Sequence, residues 1–262
     1  MTLHHTEVGS GSRRVVFLHG LFGQGKNFGA VAKALVTRHP DLRCALVDLP
    51  NHGNSPWTER IDYQDMADEV AGFIRDWAGG EPVALVGHSM GGRTAMQVAL
   101  RHPELVERLV VADVSPVAGH SEDGQFAELI AGLRTLDLTA LESRAEADRL
   151  ASGPIPHPTV RRFLLTNLRH GEEGWRWAVN LDLVEAQLAQ VGSWPDPGPV
   201  SYPGKVLWIA GQQSDYVRPE SEPAMRAYFP ATRLVTIKNA GHWVHSQQPE
   251  VFTGLVEAFL SA

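Results

Sequence analysis

Ser89 lies at the centre of a Gly-x-Ser-x-Gly pattern that Gly87 and Gly91 complete. The apolar run over residues 83–86 predicts a buried strand before the pattern, and residues 94–100 predict a helix soon after it. A turn this tight needs glycine where a Cβ would clash, and it strains the serine backbone so that the hydroxyl stands above the edge of the sheet. The pattern therefore predicts a nucleophilic serine at a helix N-terminus, where N–H groups favour an oxyanion.

A serine hydroxyl is a weak nucleophile at neutral pH, so this prediction requires a base and an acid that orients the base. His242 is the predicted base, because it lies in a loop after the last predicted strand and before the last predicted helix. From that loop its ring can reach Ser89. His245, three residues later, is the alternative base.

Two aspartates are candidates for the acid. Asp113 follows the strand that comes after the helix of the serine, and Asp215 follows a later strand over residues 205–210. The commoner position for this acid is after the later strand, about three residues past the glycine. That position holds Ser214 here, and Asp215 comes one residue late. The residues alone leave both aspartates open.

The loop after the first buried strand supplies a second part of the same predicted site. Gly20 and Gly23 in this loop let the backbone approach a substrate closely. The N–H of Leu21 and the N–H of Met90 are predicted to bind the oxyanion, with Phe22 as the alternative to Leu21.

The same loop matches most of the Gly-x-x-x-x-Gly-Lys phosphate-binding pattern over residues 20–26. Asn27 stands where that pattern requires a hydroxyl for Mg²⁺, so we do not expect nucleotide binding. The histidines at positions 4, 5, 88 and 242 lack the spacing of metal ligands. We therefore predict a site that uses neither a metal nor a cofactor.

Predicted strands and helices alternate over residues 2–116 and again over residues 204–262, which is typical of an α/β fold with a mostly parallel sheet and helices on both faces. Between them, residues 117–203 predict helices with no strand, interrupted by proline-rich segments at 153–158 and 194–199. We therefore predict a core of residues 1–116 and 204–262, with a helical cap of residues 117–203 inserted in it.

The composition limits the function classes. A formal net charge of −7 over 262 residues argues against nucleic acid and against an anionic membrane surface as partners. The first residues lack the basic and apolar regions of a secretory signal, and no apolar run reaches transmembrane length. The one cysteine, Cys44, excludes an internal disulfide. We expect a cytoplasmic protein that binds neither nucleic acid nor membrane.

These residues resemble the α/β-hydrolase superfamily, and more narrowly the YbfF-type bacterial esterases and the abhydrolase domain-containing protein 11 group. The matching segments lie in both halves of the predicted core, at residues 19–23, 27–28, 51–56, 87–92, 103–109, 113–117, 214, 216–217 and 240–245. Asp215 stands at a position that varies in the group, so the resemblance implies Asp113 as the acid. It also implies that His52 ties its turn together. Pro50 departs from the group, which usually has arginine there.

The resemblance implies a cofactor-free serine esterase that cleaves small to medium acyl esters or thioesters. Four aromatic side chains of the predicted cap are available to wall an apolar acyl pocket, namely Phe126, Phe163, Trp175 and Trp177. One alternative is C–C bond hydrolysis, lactone opening or elimination by the same three residues. Another is a ligand-binding protein that keeps the fold without catalysis.

Overall fold

The computed structural model describes residues 2–119 and 122–262. The strands in these residues are β1 (His5–Gly9), β2 (Arg13–Leu18), β3 (Leu42–Val47), β4 (Val83–His88), β5 (Val106–Ala112), β6 (Leu168–Gly171), β7 (Gly174–Trp177), β8 (Lys205–Gly211) and β9 (Thr232–Ile237). The α-helices are α1 (Gly29–Arg38), α2 (Tyr63–Ala78), α3 (Met90–Arg101), α4 (Glu122–Arg134), α5 (Arg144–Leu150), α6 (Pro158–Leu164), α7 (Leu181–Ala186), α8 (Leu188–Val191), α9 (Glu222–Tyr228), α10 (Val244–Gln247) and α11 (Pro249–Ser261).

Seven of the strands form one sheet in the order β1-β3-β2-β4-β5-β8-β9. β1 pairs antiparallel with β3, and all other neighbours in this sheet pair in parallel. The chain passes to one side of β2 to form β3 and then crosses to the other side to form β4. Ligands of open parallel sheets bind outside the carboxyl ends of the strands at such a reversal. The loops after β2, β4, β5 and β8 meet at this edge.

Helices cover both faces of the sheet, as expected. On one face α1 and α11 contribute Leu35 and Phe252 to an apolar cluster with Phe17 of β2. On the other face α2 and α3 contribute Val70 and Val98 to a larger cluster. Strands covered on both faces consist of continuous apolar residues, and for this reason the core strands lie close to their predicted bounds. The predicted α/β fold class is confirmed.

Cys44 lies within β3 and is fully buried. It pairs with Val8 of β1 on one side and with Val15 of β2 on the other. Burial raises the pKa of its thiol to about 12. A thiol with this pKa stays protonated at neutral pH, so Cys44 is an apolar core residue.

The segment between β5 and β8 differs from the prediction in one respect. The sequence predicted helices without a strand there, but β6 and β7 form an antiparallel hairpin. Its turn includes Gly174, whose φ of 94° suits glycine. The helix predicted over residues 158–168 ends earlier, at Leu164, which leaves Leu168 for β6.

Two further helices between β5 and β8 differ from their predicted bounds. The helix predicted over residues 138–151 begins only at Arg144, after Ser143 caps its N-terminus through the N–H of Glu146. The helix predicted over residues 180–190 is divided into α7 and α8. The division of the chain into a core and a cap of residues 117–203 stays a prediction, and His120 and Ser121 lie outside the described residues.

Candidate active site

Ser89 occupies the turn between β4 and α3 in a strained conformation, with φ 53° and ψ −121°. A non-glycine residue in such a region costs on the order of 1–3 kcal/mol, which the surrounding structure must offset. Its N–H donates to the carbonyl of Ala112 at 3.0 Å. A Cβ on Gly87 would clash with the carbonyl of Gly91, and one on Gly91 would clash with that of Leu18. Both glycines are therefore required by close backbone contacts.

Asp113 follows β5 directly and is fully buried, with a side-chain exposure of 0%. Its Oδ1 accepts the N–H of Gly211 at 2.8 Å. Its Oδ2 accepts the hydroxyl of Ser214 and lies 2.8 Å from Nδ1 of His242. A carboxylate is an acceptor only, so this contact places a proton on Nδ1 of His242 and leaves Nε2 free to act as a base.

The ring of His242 is held on more than one side. It stacks on Tyr216 with ring centroids 3.8 Å apart and planes at 19°. The backbone carbonyl of His242 accepts a hydrogen bond from Nε2 of His88 at 2.8 Å. His242 and Ser89 line one cleft. The structure thus brings together the predicted nucleophile, the predicted base and Asp113.

The alternative acid and base lie differently. Asp215 is exposed, and its carbonyl accepts from Nε of Arg218 at 3.0 Å. The ring of His245 stacks on Phe28 at 4.7 Å, and its Nδ1 is buried without a hydrogen-bond partner among the described residues. Within the described part of the chain, no carboxylate is seen to orient His245, in contrast to His242.

The loop after β2 lies directly against the serine. A Cβ on Gly20 would stand only 3.1 Å from the Cβ of Ser89. Leu21, the next residue, is buried and lines the cleft. Met90 is the first residue of α3, and the N–H groups in the first turn of a helix have no intrahelical acceptor. The two predicted oxyanion donors therefore belong to segments that meet at Ser89.

The N–H of Phe22, the alternative donor, already has an acceptor within the protein. This N–H donates to Nε2 of His52 at 3.3 Å. Nδ1 of the same His52 ring donates to the carbonyl of Pro50 at 3.0 Å. Phe22 also has a φ of 59°, within a turn that the N–H of Gly23 closes onto the carbonyl of Gly20 at 2.9 Å.

Four buried histidines around the site are neutral. Burial lowers the pKa of His19, and it lowers the pKa of His88 well below its usual range. Burial, with repulsion from His19, lowers the pKa of His52 to about 3. Burial, with repulsion from His242, lowers the pKa of His245 to about 4. A neutral ring offers one donor and one acceptor, which is what the contacts of His52 require.

The cleft continues into a groove of about 430 Å³ between α6 and α10. The cleft and the groove share Leu129, Val160, Phe163 and Trp243 among their lining residues. Ile155 adds a further apolar side chain to the groove. The groove is large enough for a ligand of several carbon atoms and adjoins the cleft that Ser89 lines.

Two of the four cap aromatics that were expected to wall a pocket do so. Phe126 and Phe163 line the cleft. Trp175 and Trp177 lie on β7, outside the described lining of the cleft and the groove, and Trp175 packs against His170 at 4.8 Å. The hairpin, which the sequence did not predict, carries these two rings away from the cleft.

No cluster of three metal-ligating side chains occurs in residues 2–119 and 122–262. None of the helices described in these residues has the length and apolar character needed to cross a membrane.

Comparison with known proteins defines the class. The chain belongs to the α/β hydrolase fold family, whose profile matches residues 13–249. This membership and the predicted fold class are both confirmed.

Individual relatives narrow the class further. The chain is 39% identical over 251 residues to the sn-1-specific diacylglycerol lipase ABHD11 of Mus musculus, covering 94% of this chain and 80% of the relative. It is 28% identical to Esterase YbfF of Escherichia coli (strain K12), covering 94% and 92%. A solved marine microorganism esterase superposes with a TM-score of 0.92 at 32% identity, covering 98% of this chain and 99% of that one. The chain is accordingly a hydrolase of the esterase and lipase type.

Several contacts of the site were not predicted from the sequence. Ser214 and His88 contact Asp113 and His242, respectively. Asn167 reaches the loop of Leu21 from the cap. These contacts join residues that are far apart in the chain, so only the fold shows them.

Proposed function

We propose that the chain is a serine esterase in which Ser89 is the nucleophile, His242 the general base and Asp113 the residue that orients His242. The observation that carries this proposal is the 2.8 Å contact between Asp113 and Nδ1 of His242, whose ring lines the same cleft as Ser89. Ser89 stands there on a strained turn that exposes its hydroxyl to a substrate.

In the first half of the reaction, the hydroxyl oxygen of Ser89 attacks the acyl carbonyl carbon, and Nε2 of His242 takes the hydroxyl proton. The carbonyl oxygen becomes an oxyanion, which the N–H groups of Leu21 and Met90 bind. Collapse of this intermediate breaks the bond to the alcohol, which leaves with the proton that His242 returns. Asp113 stabilises the imidazolium while it exists.

In the second half, a water molecule attacks the acyl-enzyme and gives a proton to Nε2 of His242. The same two N–H groups bind the new oxyanion. The bond to Ser89 then breaks, and His242 returns the proton to the serine oxygen. No cofactor enters either half of this proposed reaction.

The substrates that fit best are small to medium acyl esters or thioesters. The apolar groove that adjoins the cleft can take a hydrocarbon chain, and Val160, Phe163 and Trp243 would contact it. Residues 117–203, which we propose as the cap, supply one wall of this groove. The name of the mouse relative makes diacylglycerol a substrate worth testing.

Hydrolysis of p-nitrophenyl butyrate by the wild type and by Ser89→Ala tests the proposal. We expect turnover in the wild type and a loss of at least about 10³-fold in the variant. Mass spectrometry after treatment with a fluorophosphonate should place the adduct on Ser89. Turnover that survives in a folded Ser89→Ala enzyme would contradict the assignment of the nucleophile. A folded wild type that cleaves no ester or thioester would contradict the proposed reaction.

A further inference from the structure

The base of the β6–β7 hairpin places two asparagines against loops of the sheet edge. Asn167 immediately precedes β6, and Asn180 follows β7 by three residues. The N–H of Ala178 donates to the carbonyl of Asn167 at 2.7 Å and joins the two ends of the hairpin. Both asparagines then contact the core, one beside Leu21 and one beside His52.

Asn167 is fully buried, with an exposure of 0%. Its Nδ2 donates to the carbonyl of Phe22 at 2.6 Å and to that of Leu164 at 3.2 Å. Its Oδ1 accepts from Nε2 of Gln24 at 3.1 Å. Every hydrogen of the amide is used, so the side chain is fixed in the orientation that reaches Phe22.

The peptide group that joins Phe22 to Leu21 is held by a different residue. Its N–H donates to His52, as described above. The neighbouring Asn51 is tied to Asn180 through its carbonyl at 2.9 Å and through its side-chain oxygen at 3.2 Å. The hairpin base therefore acts on both sides of Phe22, directly through Asn167 and indirectly through Asn51 and His52.

Phe22 needs such support because its φ of 59° lies in the left-handed region. A bulky residue stays in that conformation only where the surrounding structure imposes it. Relaxation of Phe22 would rotate the peptide group that joins it to Leu21. Because the N–H of Leu21 lies in the preceding peptide group, across a single Cα, this rotation would also shift that N–H. A hydrogen-bond donor that shifts by about 1 Å no longer matches the oxyanion it serves.

We propose that Asn167 is a positioning residue for the oxyanion hole: through the carbonyl of Phe22 it keeps the N–H of Leu21 directed at the substrate beside Ser89. The segment between β5 and β8 thus supplies catalytic geometry as well as a pocket wall. This inference rests on the proposed function.

The test compares Asn167→Leu with Gln97→Leu. Gln97 is an equally buried amide on α3 that donates to the carbonyl of Pro195 at 2.9 Å, away from the oxyanion loop. Both changes remove one buried amide. Asn167→Leu takes a donor from the carbonyls of Phe22 and Leu164, and Gln97→Leu takes one from the carbonyl of Pro195. We expect Asn167→Leu to lower kcat for p-nitrophenyl butyrate by about 10- to 100-fold with KM within about twofold. Gln97→Leu should lower the melting temperature and leave kcat within about twofold.

A boronic acid that bonds to Ser89 provides a second measurement, because its tetrahedral adduct places an oxygen in the oxyanion hole. Asn167→Leu is expected to weaken its affinity by the same factor as kcat. Equal kcat and equal boronate affinity in Asn167→Leu and Gln97→Leu would overturn the inference and leave Asn167 a structural residue.

Asn167→Asp covers the case in which the leucine variant does not fold, since it keeps the size of the side chain and the oxygen that accepts from Gln24. Only a protonated carboxyl can donate to Phe22. The ratio of its kcat to that of the wild type is therefore expected to fall as the pH rises from about 6 to about 9. A ratio that stays near one over this whole range would overturn the inference, because an ionised carboxylate cannot donate to Phe22. Loss of turnover in Ser89→Ala tests the proposed function separately.

Discussion

Asp113 and Ser214 occupy the two places from which a carboxylate could meet His242. Ser214 follows β8 at the position where the acid was first sought, and its hydroxyl donates to Oδ2 of Asp113. A carboxylate at position 214 would instead face Asp113 at hydrogen-bond distance, where two negative charges repel each other. The hydroxyl of Ser214, by contrast, gives the buried Asp113 a hydrogen-bond donor.

Asp113→Asn is expected to lower kcat for p-nitrophenyl butyrate by about 10³- to 10⁴-fold, because an amide can stabilise the wrong tautomer of His242 and cannot balance its charge. Asp215→Asn should leave kcat within about twofold, since Asp215 is exposed and its described contact is through its backbone. Steady-state kinetics of the two purified variants decide whether Asp113 or Asp215 is the acid. A large loss in Asp215→Asn with little loss in Asp113→Asn would reverse the assignment.

Ser89 and His242 could be predicted because each carries a signal in its own neighbourhood, the flanking glycines of one and the loop position of the other. The carboxylate that contacts His242 could not be chosen from local pattern, since the contact depends on which strands lie beside β8. The sheet order places β5 there, and Asp113 follows it. Asn167 lay beyond prediction because it acts on Phe22, 145 residues away.

Helix α6 forms one wall of the groove and presents Val160 to both the groove and the cleft. Arg162 is exposed on the same helix and does not line either space. The helix thus has one side toward the proposed substrate and another toward solvent. A larger side chain in place of Val160 would therefore narrow the groove and the cleft, whereas one in place of Arg162 would narrow neither.

Val160→Trp is expected to fill part of the groove and to lower kcat/KM for p-nitrophenyl octanoate by about 10-fold or more relative to p-nitrophenyl acetate, because methylene groups lose their apolar contacts. Arg162→Trp adds the same side chain on the exposed side and should leave the ratio unchanged. The measurement is kcat/KM across a series of acyl lengths. An unchanged preference in Val160→Trp would show that the acyl chain lies elsewhere.

The hairpin was missed because its strands are short. β6 and β7 have four residues each, and alternation over four residues does not distinguish a strand from the end of a helix. The core strands were predicted because they are continuous apolar runs between turn-forming residues. Elements that a large sheet buries on both faces are therefore more predictable than elements of the insertion.

At the scale of the whole molecule, the buried histidines link folding to pH. His19, His52, His88 and His245 have lowered pKa values in the folded chain, as described above. In the unfolded chain they take up protons near pH 6.5. The unfolded state therefore binds more protons below that pH, and the contribution of these residues to stability is present above it and is lost as the pH falls.

We expect the free energy of unfolding to decrease between pH 7 and pH 5, with His52 and His245 each contributing about 2 kcal/mol of the loss at pH 5. Urea denaturation at a series of pH values measures this free energy of unfolding. His245→Gln removes one of these groups and should make the dependence on pH shallower. Equal unfolding free energies at pH 7 and pH 5 would contradict the expectation.

The burial of Cys44 has a practical consequence. Its thiol is buried in the apolar cluster that α1 and α11 form with one face of the sheet, and its pKa of about 12 leaves almost no thiolate to react with an alkylating reagent. Modification of the native chain therefore requires this cluster to open, and the rate of modification measures how often it opens. A cysteine introduced at an exposed point between β5 and β8, such as Gly153→Cys, can then carry a fluorophore with no competing site, and its emission would report on that segment alone.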